Sequence, residues 1–184
     1  MRNPTENDLT AQRWATQMFG VLTLDGVWTQ RLNADRMTYD DMADAADIGR
    51  ILVDDWKQVT DAEAHKFIRD YVLSNRHTVE QSEAGRALLR RVAGDDGDPW
   101  AVVVDSVDGL FAARDSVAEQ LTNKIEALHN RTWTPGDLPD HVWRRGVVVL
   151  AIALLVIGLP DLATVLGLVL TLPSDPVPGP SPDG

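Results

Sequence analysis

Apolar positions recur every three or four residues through most of the first 130 positions, a spacing that predicts helices. Thr5 to Phe19 reads as a first helix, with Leu9, Trp14, Met18 and Phe19 toward one side. Val21 to Trp28 reads as a short hairpin turning at Asp25-Gly26, or as a loop or helix junction, since an isolated two-stranded hairpin is marginal. Thr38-Tyr-Asp-Asp41 has the layout of a capping box with Asp in place of Glu. It opens a helix whose seam is Met42, Ala45, Gly49, Leu52, Trp56 and Val59. Thr60-Asp-Ala-Glu63 and Thr78-Val-Glu-Gln81 match the box again and predict two more helices, the second stopping at Gly94. Asp98-Pro99 is an N-cap followed by proline at the first helical position. From Trp100 a seam of Val103, Val107, Leu110, Val117, Leu121, Ile125 and Leu128 predicts one helix of about 30 residues, about 45 Å long. Gly109 is the place for an interruption, and Ala101 to Val104 is alternatively a short buried strand. The seam suits a bundle core first and a face for self-association second.

The pattern then changes. Residues 146–172 carry one charge, Asp161, and are mostly Val, Leu and Ile. On an insertion scale these aliphatic residues favour a bilayer by roughly 5–10 kcal/mol, against roughly 3 kcal/mol opposed by Asp161. The stretch therefore predicts a membrane anchor. As one helix it would be about 40 Å long, against a hydrocarbon core of about 30 Å. Gly158, Pro160 and Asp161 form a natural break, so the anchor is either one kinked span or a re-entrant hairpin. Trp133 and Trp143 fit the interfacial aromatic positions, and Arg144 and Arg145 precede the apolar run with no positive charge after it. The positive-inside rule then keeps the N-terminal part on the cytoplasmic side, or the equivalent side inside a virion membrane. The predicted organisation is an acidic, mostly helical domain over 1–132, a juxtamembrane linker over 133–145, the anchor over 146–172 and a Pro-rich flexible tail over 173–184. The fold class is mainly α: a helical bundle-like part followed by an apolar membrane helix or broken helical hairpin. This layout resembles that of tail-anchored proteins, a likeness of architecture that implies no activity.

Charge narrows the function classes. The 184 residues include 17 Lys+Arg and 28 Asp+Glu, a formal charge of −11. Acidity of this size argues against a general nucleic-acid-binding role, because phosphate contacts need clustered Lys and Arg, so no nucleic-acid partner is expected. The acids are 22 Asp and 6 Glu and the bases 14 Arg and 3 Lys, a balance similar to that of halophilic archaeal proteins and their viruses. There are no cysteines, which excludes disulfides, thiolate metal sites and cysteine nucleophiles.

No catalytic signature emerges. The chain has no phosphate-binding Gly-Lys-Ser/Thr loop, no Gly-x-Ser-x-Gly elbow and no His-Glu-x-x-His. Glu126-Ala-Leu-His129 is a single Glu-x-x-His pair, and di-iron bundles need two such pairs with further glutamates. Asp95-Asp96-Gly97-Asp98 and Asp105-Ser-Val-Asp-Gly109 lack the spacing of a calcium-binding EF-hand. Asp40, Asp41, Asp44 and Asp47 read as a solvated acidic face near a helix start. His65, His77, His129 and His141 have no metal-ligand spacing, and the six tryptophans read as core or interface anchors. Catalytic, cofactor-binding and metal-binding residues are accordingly none. The expected function is a non-enzymatic, membrane-anchored structural or adaptor protein, with a minor component of a halophilic virus particle as its narrower form. A holin-like lysis or pore-forming protein is the alternative. The partners expected are the lipid bilayer and either another protein or a second copy through the helix seams.

Overall fold

Local chemistry sets most helix starts. Thr5 and Asp8 cap the first helix reciprocally: the Thr5 backbone N–H and hydroxyl both donate to Asp8 Oδ2 at 2.8 Å, and the Asp8 N–H donates to Thr5 Oγ1 at 3.2 Å. The computed structural model describes residues 3–32, 37–94, 97–130 and 140–169. Among them are nine helices: α1 (Glu6–Leu32), α2 (Tyr39–Val59), α3 (Ala62–Ser74), α4 (Arg76–Gln81), α5 (Glu83–Ala93), α6 (Pro99–Ala112), α7 (Arg114–Asn130), α8 (Asp140–Val156) and α9 (Pro160–Val169). The box at Thr38 and Asp41 opens α2, and Asp98 caps α6 with Pro99 at its first position.

Several boundaries differ from the pattern. α1 runs unbroken through Asp25-Gly26, and Trp28 and Leu32 beyond them are buried. That burial outweighs the cost of one glycine in a helix, about 1 kcal/mol. Thr60 ends α2 instead of starting α3, since its hydroxyl donates back to the Trp56 carbonyl at 2.5 Å, and Asp61 caps α3 through the Ala64 N–H. Thr78 lies inside α4, and Ser82 caps α5 by accepting from the Gly85 N–H at 2.9 Å. The long seam is divided at Ala113 into α6 and α7, not at Gly109, and no strand forms over 101–104. Both halves of that seam bury their apolar faces within this chain, α6 chiefly against α8 and α7 chiefly against α2.

The main correction concerns residues 146–172. Among the described residues no helix is long and apolar enough to cross a membrane. α8 has 17 residues, about 25 Å, and α9 has 10, about 15 Å, both short of a hydrocarbon core of about 30 Å. α8 is instead the central helix of the bundle. It packs on α1, α3, α4, α5, α6 and α9, and each residue from Val147 to Val156 is buried. With protein on every side, a helix needs no polar face. The membrane helix, the anchoring in a lipid bilayer and the membrane or virion-membrane location are therefore not supported.

The residues of the expected membrane break have a different role. Gly158 has φ +88°, the Gly158 N–H donates to the Leu155 carbonyl at 3.3 Å, and the Leu159 N–H donates to the Leu154 carbonyl at 2.9 Å. This is a Schellman stop. Pro160 occupies the first position of α9 and Asp161 its first turn, where a carboxylate complements the helix macrodipole. α9 thus folds back onto α8. Gly158→Ala is expected to cost about 1–2 kcal/mol, because L-residues resist the left-handed conformation. Urea denaturation checks this: an unchanged midpoint would show that the turn does not depend on glycine.

Candidate functional site

The turn that closes α8 also shapes a groove. Because α9 folds back beside α1, Gln12, Ala15, Thr16 and Phe19 face Leu154, Ile157, Leu159, Leu162, Val165 and Leu166 across a depression of about 350 Å³. Four of these apolar side chains remain half-exposed: Phe19 at 51%, Leu159 at 41%, Leu162 at 52% and Val165 at 59%. Leu162 and Val165 stand three residues apart on one face of α9, and Leu159 lies just before its first residue. Among the described residues, Gln12 and Thr16 supply the only polar side chains of the wall, and no charged side chain lines it.

A second pocket, about 330 Å³, lies between α5, α6 and α8 and is lined by Arg91, Val92, Val102, Ser106, Arg144, Arg145 and Val148. Arg144 and Arg145, expected at a bilayer surface, are thus joined by Arg91 from a helix more than fifty residues earlier. Trp143 is half-buried on α8, and Trp133 lies outside the described residues. The other tryptophans are buried, and three of them anchor helix pairs by donating indole N–H groups. Trp14 donates to the Val59 carbonyl at 2.8 Å, Trp56 to the Arg114 carbonyl at 2.9 Å and Trp100 to Glu80 Oε1 at 2.8 Å.

Several titratable side chains are engaged in pairs between or within helices. His65 Nε2 lies 2.9 Å from Asp108 Oδ1 and its ring stacks on Phe111 at 4.7 Å, while Arg69 Nε lies 3.5 Å from the same carboxylate oxygen. That cluster joins α3 to α6, a contact between the histidines and the second acidic motif that spacing alone does not reveal. Glu80 accepts from Arg76 Nε at 2.9 Å as well as from Trp100, and these two donors hold its carboxyl below the usual carboxylate range. His129 Nε2 is 3.2 Å from Arg50 Nη2, and Arg50 also pairs with Asp47, so the histidine of the Glu126-Ala-Leu-His129 motif belongs to a surface network. His77 Nε2 is 2.7 Å from Gln81 Nε2, and His141 is exposed on α8. Asp40, Asp44 and Asp47 are exposed on α2 and Asp41 caps that helix. Asp95 and Asp96 fall outside the described residues, whereas Asp98 is the cap of α6. Among the described residues no group of three or more His, Asp or Glu side chains is placed to hold a metal ion.

The groove is hidden from the sequence because Phe19 follows the same spacing as the buried Trp14 and Met18. The arginine pocket is hidden because its charges come from two distant segments. With no membrane-crossing helix among the described residues, the structural, adaptor and pore-forming roles that required an anchor lose their basis, and no likeness links the chain to virus-particle or lysis proteins. No protein-family model matches the chain, and neither a curated protein nor a solved structure matches it.

Proposed function

We propose that the protein is a non-enzymatic binding domain whose α1/α9 groove receives a short amphipathic helical segment of another protein, basic on its outer face. The observation that carries this is the placement of Phe19, Leu159, Leu162 and Val165, all half-exposed, around one groove. Contiguous apolar surface of this kind marks recognition sites, and helix-in-groove binding uses apolar anchors at i, i+3, i+4 and i+7. Size selects the occupant. Four half-exposed side chains offer much less than the roughly 800 Å² that each partner contributes to a standard globular interface. A single short segment fits that area better than a second folded copy does. Charge selects the outer face, because a chain of net charge −11 attracts basic partners and repels acidic ones. The pairing of His65 with Asp108 and of Glu80 with Arg76 and Trp100 supports the non-enzymatic part, since these groups serve packing between helices.

The test uses labelled helical peptides with Leu or Phe at i, i+3, i+4 and i+7 and Lys or Arg on the remaining positions, read by fluorescence anisotropy. Saturable binding is expected, weakened by at least about tenfold in Val165→Asp and in Leu162→Asp, whose sites are exposed enough to leave the fold intact. Absence of saturable binding, or equal affinity for the wild type and both variants, removes the groove from this role. A concentration-dependent dimer lost in Val165→Asp would assign the groove to a second copy and overturn the proposal equally.

A further inference from the structure

We infer that the pocket between α5, α6 and α8 is an anion site for the phosphoryl group of a small phosphate ester. Arg91, Arg144 and Arg145 converge there in a chain with 17 basic and 28 acidic residues, so the pocket inverts the sign of the protein around it. Asp105 Oδ2 lies 3.7 Å from Arg145 Nη2 and is itself largely exposed, a loose contact that a phosphate oxygen at hydrogen-bond distance would displace. Arg91 and Arg145 line the pocket from two different helices, and two arginines match a phosphate dianion better than a monocarboxylate. Guanidinium forks also fit phosphate oxygens two at a time.

The helix macrodipole does not account for this gathering. Arg91 sits in the last turn of α5, where a cation is favourable, but Arg144 and Arg145 sit in the second turn of α8, near the end that favours anions. Two glycines make room for the guanidinium groups. A Cβ on Gly109 of α6 would lie 2.5 Å from the Arg145 Cζ and Nη1 atoms, and one on Gly167 of α9 would lie 3.1 Å from Arg91 Nη1. Bare backbone at both points leaves space for the Arg145 guanidinium beside α6 and for that of Arg91 beside α9.

The remaining wall sets the size and polarity of the ligand. Val92, Val102 and Val148 are apolar, and the Ser106 hydroxyl donates to the Val102 carbonyl at 2.7 Å, which leaves the guanidinium groups as the donors. A volume of about 330 Å³ is at the lower end for small-molecule sites. A phosphomonoester with a small apolar group fits these dimensions and this lining. The pocket shares no lining residue with the α1/α9 groove, and it stands independently of the groove's role.

Isothermal titration of the full chain tests the site at fixed ionic strength and pH 8, with inorganic phosphate, phenyl phosphate and acetate as probes. One-to-one saturation by phosphate is expected, with phenyl phosphate tighter and acetate at least about tenfold weaker. Arg91→Ala and Arg145→Ala should each weaken phosphate by at least about tenfold, and Arg91→Lys by less, because an ammonium keeps the charge but lacks the fork. Arg50→Ala, which removes an equal charge elsewhere, should leave binding unchanged. A linear, non-saturating response, equal affinity for acetate, or an equal loss in Arg50→Ala would overturn the site. Melting curves of each variant confirm that a loss is not unfolding; should Arg145→Ala unfold, the exposed Arg91 carries the test alone.

Discussion

Replacing Ile152 by Ala is expected to destabilise the protein by about 2–5 kcal/mol, and replacing it by Asp to abolish cooperative folding. Ile152 is fully buried in the middle of α8, and α8 contacts six other helices. Truncation removes the transfer free energy of the lost methyl groups and leaves a cavity that surrounding helices fill only in part. For a chain of this size the loss corresponds to a fall of about 4–20 °C in melting temperature. Aspartate at the same place would be a charge surrounded by Val148, Val149, Leu155 and Val156, all buried and apolar, which costs far more than a cavity. Near-UV circular dichroism and thermal melting read both changes. Asp161→Leu provides the contrast: this exposed carboxylate acts only on the first turn of α9, so its loss should cost no more than about 1 kcal/mol. Melting of Ile152→Ala at the wild-type temperature would contradict the central place of α8.

Asp8→Ala is expected to cost about 2–4 kcal/mol, a large effect for a residue in the first turn of a helix. Asp8 is 6% exposed, and its two oxygens have separate tasks. Oδ2 accepts from Thr5 in the capping box, whose loss costs about 1 kcal/mol. Oδ1 accepts from the buried Tyr71 hydroxyl at 2.7 Å, a bond that fastens α1 to α3 across 63 positions of sequence. A hydrogen bond to a charged group contributes about 1.5–3 kcal/mol, and the variant also strands the Tyr71 hydroxyl in the core. A cycle of Asp8→Ala, Tyr71→Phe and the double variant, measured by urea denaturation, separates the two tasks. The coupling energy should exceed about 1 kcal/mol. Independent, additive losses would show that the contact does not contribute to stability.

Features that depend on a few neighbouring residues are legible in the order of residues alone. Thr38 and Asp41 start α2, Asp98 and Pro99 start α6, and Gly94 with φ +65° stops α5, because caps and stops are made within four or five positions. The seams through Leu52 and Trp56, and through Val103, Leu110 and Leu121, are legible for the same reason: helical spacing displays a buried face. Where a boundary departs from the pattern, a longer-range contact prevails. Trp28 and Leu32 carry α1 past Asp25-Gly26, and the break at Ala113 turns α7 toward α2, away from the line of α6.

The setting of α8 is of another kind. A helix apolar around its whole circumference has the same residue pattern in a bilayer as at the centre of a bundle, since both surroundings lack water. What separates them is whether other helices cover every side, and that depends on α1, α5, α6 and α9 meeting around Val147 to Val156. The binding surfaces follow the same logic. Arg91 stands beside Arg144 and Arg145 only once α5 packs on α8, and Phe19 faces Val165 only once α9 turns back at Gly158. Caps, stops and buried faces are local, so residue order determines them directly. Coverage and convergence belong to the assembled bundle, because they are relations between segments that no short stretch of chain contains.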